Sequence, residues 1–217
     1  MKRRIPLVTG QYYHIFTKCV EGIKVFDDDR GFSRMTDLIR FYQLKNPPMK
    51  YSDISIARKL FGQDSAYDFK MLSGNAEKRV AILAYCLMSN HFHLLIGQLM
   101  DGGISAFMSD ILNSYARYFN VKNDRKGPVW LGRFKNIFIE SEQQLRHVSR
   151  YIHLNPTTAK LVQRPEDWKY SSYGEYIGSG REEGVCTRKE IINLTPEEYK
   201  DFTENNIDYQ IELGEVQ

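Results

Sequence analysis

The stretch from Val80 to Gln98 limits the fold more than any other part of this chain. Its first nine residues, VAILAYCLM, hold no charge, as a strand buried on both faces requires, and Ser89 with Asn90 supplies a tight turn. His91 to Gln98, HFHLLIGQ, is the return strand, so a hairpin sits at the centre of the fold. Other elements arrange themselves around it. Gln11 to Val20, QYYHIFTKCV, is aromatic and β-branched as a strand wants, and Phe32 to Lys45 carries Met35, Leu38, Ile39 and Tyr42 at helical spacing. Ile104, Phe107, Met108, Ile111, Leu112, Tyr115, Tyr118 and Phe119 follow the i, i+3, i+4, i+7 rule and predict a long helix whose apolar face covers the sheet.

Gly127 and Pro128 then break the chain, Arg133 to Glu140 alternates as a strand does, and Ser141 with Gln144 forms a capping box opening a further helix. Pro156 is expected to end that helix. The order strand, helix, hairpin, helix, strand, helix predicts an α+β fold, an antiparallel sheet with helices mainly on one face. We assign residues 1–178 to this domain. The segment 46–79 starts at a double proline, ends polar and is expected to be a partly helical insertion, while 179–217 is an acidic appendage with a weak helical pattern after Pro196.

With 42% apolar residues in a chain of 217, a core of its own is within reach. No apolar run approaches the roughly 18 residues of a membrane span, and the basic start MKRRIPLVTG leads into polar and aromatic residues rather than a signal-peptide core. A soluble, cytoplasmic protein without membrane contact is expected. Cys19, Cys86 and Cys186 are odd in number and far apart, which fits reduced thiols and neither a disulfide framework nor a thiolate zinc site. Charge is unevenly spread: Ile111 to Tyr170 holds 11 Lys and Arg against 5 Asp and Glu, and Arg181 to Gln217 holds 4 against 10. A basic middle with an acidic tail fits a polyanion surface beside a solvated or covering tail, and fits a simple solvated face as well.

Two patterns carry chemistry. In a strand, residues two apart share a face, so His91 and His93 project together, either as a metal half-site or as two locally bonded histidines. On the helix opened by Ser141, His147, Tyr151 and Asn155 lie at i, i+4 and i+8, a polar stripe beside Leu145, Val148 and Ile152. Near the expected helix end, Asn155 is placed to turn its side-chain oxygen toward a cation.

The segments AYCLMSNHFHLLI and RYIHLNPTTAKLVQRPEDWKYSSY resemble the two signature blocks of the HUH single-tyrosine transposases, the IS200-like group, and especially the REP-associated tyrosine transposases. The resemblance runs in ordered pieces from Gln11 to Ile177. It implies a ferredoxin-like HUH endonuclease core in which His91 and His93 are the metal-binding pair, Phe92 is the hydrophobic residue between them, Tyr151 is the nucleophile and Asn155 is the third ligand. Insertion-element relatives often carry glutamine at that third position, and asparagine favours the REP-associated branch. His153 points elsewhere on the helix and is left outside the ligand set.

That set suits the chemistry. A phenol ionises only near pH ~10, so a nearby cation helps it to attack a phosphodiester. Imidazoles and an amide, with water and phosphate oxygens, suit Mg²⁺ or Mn²⁺. The resemblance implies single-stranded DNA with hairpin repeats as partner, and a monomer or a homodimer. Arg117, Lys122, Arg125, Lys126, Arg133 and Lys135, with Trp130 and Phe134 among them, combine charge with stacking rings and are the DNA-contacting candidates. Lys2, Arg3 and Arg4 are either further phosphate contacts or a disordered end. Two other functions use the same residues: a DNA-binding descendant that no longer cuts, and a metal-dependent hydrolase in which water attacks the phosphodiester and Tyr151 only orients it.

Overall fold

The computed structural model describes residues 6–47, 49–54, 76–179, 184–187 and 192–209. Most of the segment 46–79, together with Lys2, Arg3 and Arg4, lies outside the described residues. Four strands, β1 (Tyr12–Lys18), β2 (Val80–Met88), β3 (His91–Gln98) and β4 (Lys135–Phe138), form one antiparallel sheet in the order β2-β3-β1-β4. The sequence hairpin is thus joined by β1 on its β3 side. Strand β4 covers only four residues of the expected Arg133–Glu140 strand.

Alternation along the strands sorts side chains to two faces, with one interruption. The β2–β3 register shifts between Ile82 and Ala84, so Leu83 is an extra residue there. Val80 and Ile82 before it, and Tyr85 and Leu87 after it, therefore point to the same side. Two helices fill that side: α1 (Asp29–Tyr42) and α2 (Gly103–Lys122) bury Phe32, Met35, Leu38, Phe107, Met108, Ile111 and Tyr115 against Tyr13, Ile15, Phe92, Leu94 and Ile96. Arg79 ties the two together, its Nε–H donating to the Tyr42 carbonyl and its guanidinium pairing with Asp110 at 2.5 Å.

The opposite face carries Ala81, Leu83, Ala84, Cys86 and Leu95 and receives α3 (Glu142–Thr158) through Leu145 and Ile152. Ser141 caps α3, its Oγ accepting from the Gln144 N–H, and Gln144 reaches back to accept from the Glu140 N–H. The expectation that Pro156 ends the helix is corrected. Helix α3 runs on to Thr158 with Pro156 inside it, because so near a C-terminus proline forfeits only one hydrogen bond and its fixed φ suits the last turn.

After α3 the chain turns back along the otherwise open edge of β2. The Leu87 N–H donates to the Tyr170 carbonyl, Ser172 N–H to Tyr85 and Thr187 N–H to Ile82, which shields the edge from pairing with another chain. A short helix α4 (Tyr173–Tyr176) follows, and α5 (Pro196–Glu204), opened by a full Thr195–Glu198 capping box, packs on α3. All three cysteines are free. No described helix is long and apolar enough to cross a membrane.

Candidate functional site

The β3 strand begins at His91, and its period of two sets His91 and His93 on the face that α3 crosses. Their rings lie perpendicular, centroids 5.1 Å apart. Helix α3 brings Tyr151 over them, its ring edge-on to His93 at 5.7 Å and to His14 of β1 at 5.8 Å. Tyr151 is 40% exposed, whereas His14 and His93 are each 7% exposed, so the tyrosine stands at the mouth of a buried imidazole group. One turn on, the side chain of Asn155 hydrogen-bonds His91. His91, His93, Tyr151 and Asn155 therefore converge within one chain.

Burial governs the electrostatics. It holds His93 well below the ordinary imidazole value, with the charges of His14, His91 and Lys18 acting in the same sense, and it lowers His14 to about 4. It lowers His91 too; the Asn155 bond opposes that shift and Lys18 adds to it. Neutral imidazoles keep lone pairs, which a metal ligand needs. The His91 Nδ1 lies 2.6 Å from the Asn90 side-chain oxygen, so it carries the proton and leaves Nε2 as the lone pair. Among the described residues no three His, Cys, Asp or Glu side chains form a cation cage by themselves. Two imidazoles and the Asn155 amide nonetheless make a donor set that fits a divalent cation with open positions for phosphate oxygens.

Lys18 pairs with His91 in the β1–β3 ladder, and Lys135, at the start of β4, places its ammonium 5.9 Å above the Phe16 ring, which stacks on His93. Two cations thus flank the histidines. The remaining basic candidates lie elsewhere. Arg117 and Lys122 are on α2, which covers the other sheet face, and Lys122 pairs with both Asp27 and Asp28 at 3.0 Å. Arg125 donates to Asn120 and to the Pro128 carbonyl, and Lys126 is exposed in the same loop. Trp130 packs on Phe92 and donates to the Leu112 carbonyl, Phe134 is buried, and Arg133 is exposed just before β4. His147 accepts from Arg150, and His153 is wholly buried between Tyr199 and Ser172, each 2.7 Å away. Sequence patterns did not single out His14 or Lys18, because only the pairing of β1 with β3 brings them to the site.

Residues 60–155 match the family model described as "Transposase IS200 like". Over that stretch, somewhat under half of its length, the chain is similar to this transposase family. The match begins inside the 46–79 segment and ends at Asn155, so it takes in His91, His93, Tyr151 and Asn155. Among solved structures, the chain is similar to one described as a REP-associated tyrosine transposase bound to a REP hairpin. The TM-score is 0.55 at 14% identity, covering 88% of this chain and 93% of that one. That likeness shows the fold. No curated protein sequence matches the chain.

Proposed function

We propose that this protein is a single-tyrosine DNA transposase of the REP-associated kind that cuts and rejoins single-stranded DNA. Tyr151 is the nucleophile, and His91, His93 and Asn155 hold Mg²⁺ or Mn²⁺. The observation that carries the reading is the meeting of a half-exposed tyrosine with two neutral imidazoles and an amide at the junction of β3 and α3. When bound, a divalent cation neutralises charge on a non-bridging phosphate oxygen. The Tyr151 oxygen attacks phosphorus, forming the Oη–P bond as the bond to the 3′ oxygen breaks. The phenol gives up its proton and the leaving oxygen ends as a 3′-hydroxyl. The 5′-phosphotyrosine keeps the bond energy, so another 3′-hydroxyl can displace Tyr151 and rejoin strands without ATP. Because all four residues come from one chain, the reading needs no second subunit to complete the site.

Lys18, Arg133 and Lys135 are the proposed contacts for phosphates next to the cut. Arg117, Lys122, Arg125 and Lys126, with Trp130, form a second basic region assigned to more distant phosphates. The hairpin named for the structural relative supports a hairpin-bearing strand as substrate.

The test incubates the protein with labelled hairpin-bearing single-stranded DNA and Mg²⁺ or Mn²⁺ and looks for a DNA–protein adduct on a denaturing gel. An adduct that disappears in Tyr151→Phe is the expected result. Metal-dependent cutting that survives Tyr151→Phe would replace the transposase with a hydrolase, and binding without cutting across a hairpin library would leave a DNA-binding descendant.

A further inference from the structure

Residue His14 has no part in the ligand set above, yet its imidazole shares a hydrogen bond with one of its members. Its Nε2 lies 2.9 Å from the Nδ1 of His93, and the two rings stack with centroids 5.1 Å apart. Strand register explains the contact. Phe16 stands opposite His93 and His14 opposite Leu95, so His14 and His93 are diagonal neighbours on one face, within reach of two imidazoles. Both are buried, and Phe16 and Tyr151 pack beside the pair.

A nitrogen–nitrogen hydrogen bond requires one N–H and one lone pair, which leaves two arrangements. If His14 donates, the Nδ1 of His93 is the acceptor, its proton sits on Nε2, and His93 has no lone pair left for a cation. If His93 donates from Nδ1, its Nε2 lone pair is free. Metal-binding histidines commonly have the second nitrogen fixed in this way by a neighbouring acceptor. Here the acceptor is a third imidazole on the next strand.

We propose that His14 is a positioning residue: by accepting the Nδ1 proton of His93 it fixes the tautomer and ring orientation in which Nε2 of His93 is the donor to the metal. The inference rests on the proposed roles of His91 and His93, and its test separates the two. First, ring ¹⁵N NMR of the metal-free wild-type protein reads the His93 tautomer directly. The Nδ1–H form is expected, and the Nε2–H form would overturn the proposal. Second, Mn²⁺ binding is measured without DNA for wild type, His14→Gln and His14→Phe, with thermal melting to check that each variant folds. His14→Gln retains an acceptor oxygen and is expected to stay within roughly threefold of wild type. His14→Phe fills the space but strands the His93 N–H and is expected to bind roughly 10- to 100-fold more weakly.

Equal Mn²⁺ affinity in wild type and His14→Phe would overturn the proposal. Equal loss in His14→Gln and His14→Phe would also overturn it, since the imidazole itself would then be a ligand. A wild type that binds no Mn²⁺ would sink the metal reading of the site, while the tautomer would still decide the role of His14.

Discussion

Tyr151 differs from the other buried-site tyrosines of this chain in where it stands. Tyr85, Tyr115 and Tyr199 are buried, and burial drives their ionisation well above the ordinary phenol value, so they are poor nucleophiles and good packing groups. Tyr151 keeps 40% of its surface exposed while its ring edge rests on His93. Replacing it with phenylalanine removes the hydroxyl and keeps the ring that rests on His93. Tyr151→Phe is therefore expected to lower adduct formation by on the order of 10³-fold or more, while the melting temperature and DNA affinity stay near wild type. A variant that melts early would mean that the hydroxyl is structural instead. The residues at this scale were legible where one periodicity sufficed: a spacing of two for His91 and His93, and of four for Tyr151 and Asn155. His14 was not, because its meaning depends on which residue of another strand lies across from it, and no local pattern contains that register.

Helix α3 carries Tyr151 and is held from both sides. Its Leu145 and Ile152 bury against the sheet, and its other flank meets α5, where Phe202 receives the Arg150 guanidinium at 4.7 Å and the His147 ring at 5.9 Å. Between them runs a buried polar chain: the Nδ1–H of His153 donates to the Tyr199 hydroxyl, which donates to Ser149 Oγ, which donates to the Arg146 carbonyl. Every link has a partner, as buried polar groups require. Tyr199→Phe keeps the ring and breaks the chain in the middle, leaving the His153 N–H unmet. A loss of about 1–3 kcal/mol in urea denaturation is expected. An unchanged midpoint would show that water or a shifted side chain replaces the hydroxyl. The major elements followed from the sequence, since long apolar periodicities decide them. The contact of α5 with α3 did not, because a short acidic helix that buries only Tyr199 and Thr203 shows little apolar pattern.

At the scale of the whole molecule, stability and the proposed DNA affinity are each expected to respond to a solution variable. His153, with Tyr173, Tyr176 and Tyr199 around its ring and Ser149 and Ser172 completing the network, is lowered by burial to about 3. The folded state holds it neutral, while the unfolded chain takes up a proton below pH ~6.5. Its contribution is therefore complete above that value and is lost as pH falls toward about 3, at up to ~1.4 kcal/mol per pH unit. Urea midpoints measured from pH 7.5 down to 4.5, without metal, should fall more steeply for wild type than for His153→Gln; parallel curves would assign the acid sensitivity to other groups.

Affinity for DNA depends on salt instead. Each single-strand phosphate neutralised by a lysine releases counterions and steepens the dependence of log affinity on log salt by ~0.7. Lys18 and Lys135 flank the histidines and the described structure gives neither an acidic partner, so their charge is available to a phosphate. Replacing both by alanine should reduce the slope by roughly 1.4 and weaken binding most at low salt, with little change in melting temperature. A slope equal to that of wild type would mean that the strand crosses the sheet away from the histidines, and the phosphate path would have to be redrawn along α2 and its loop.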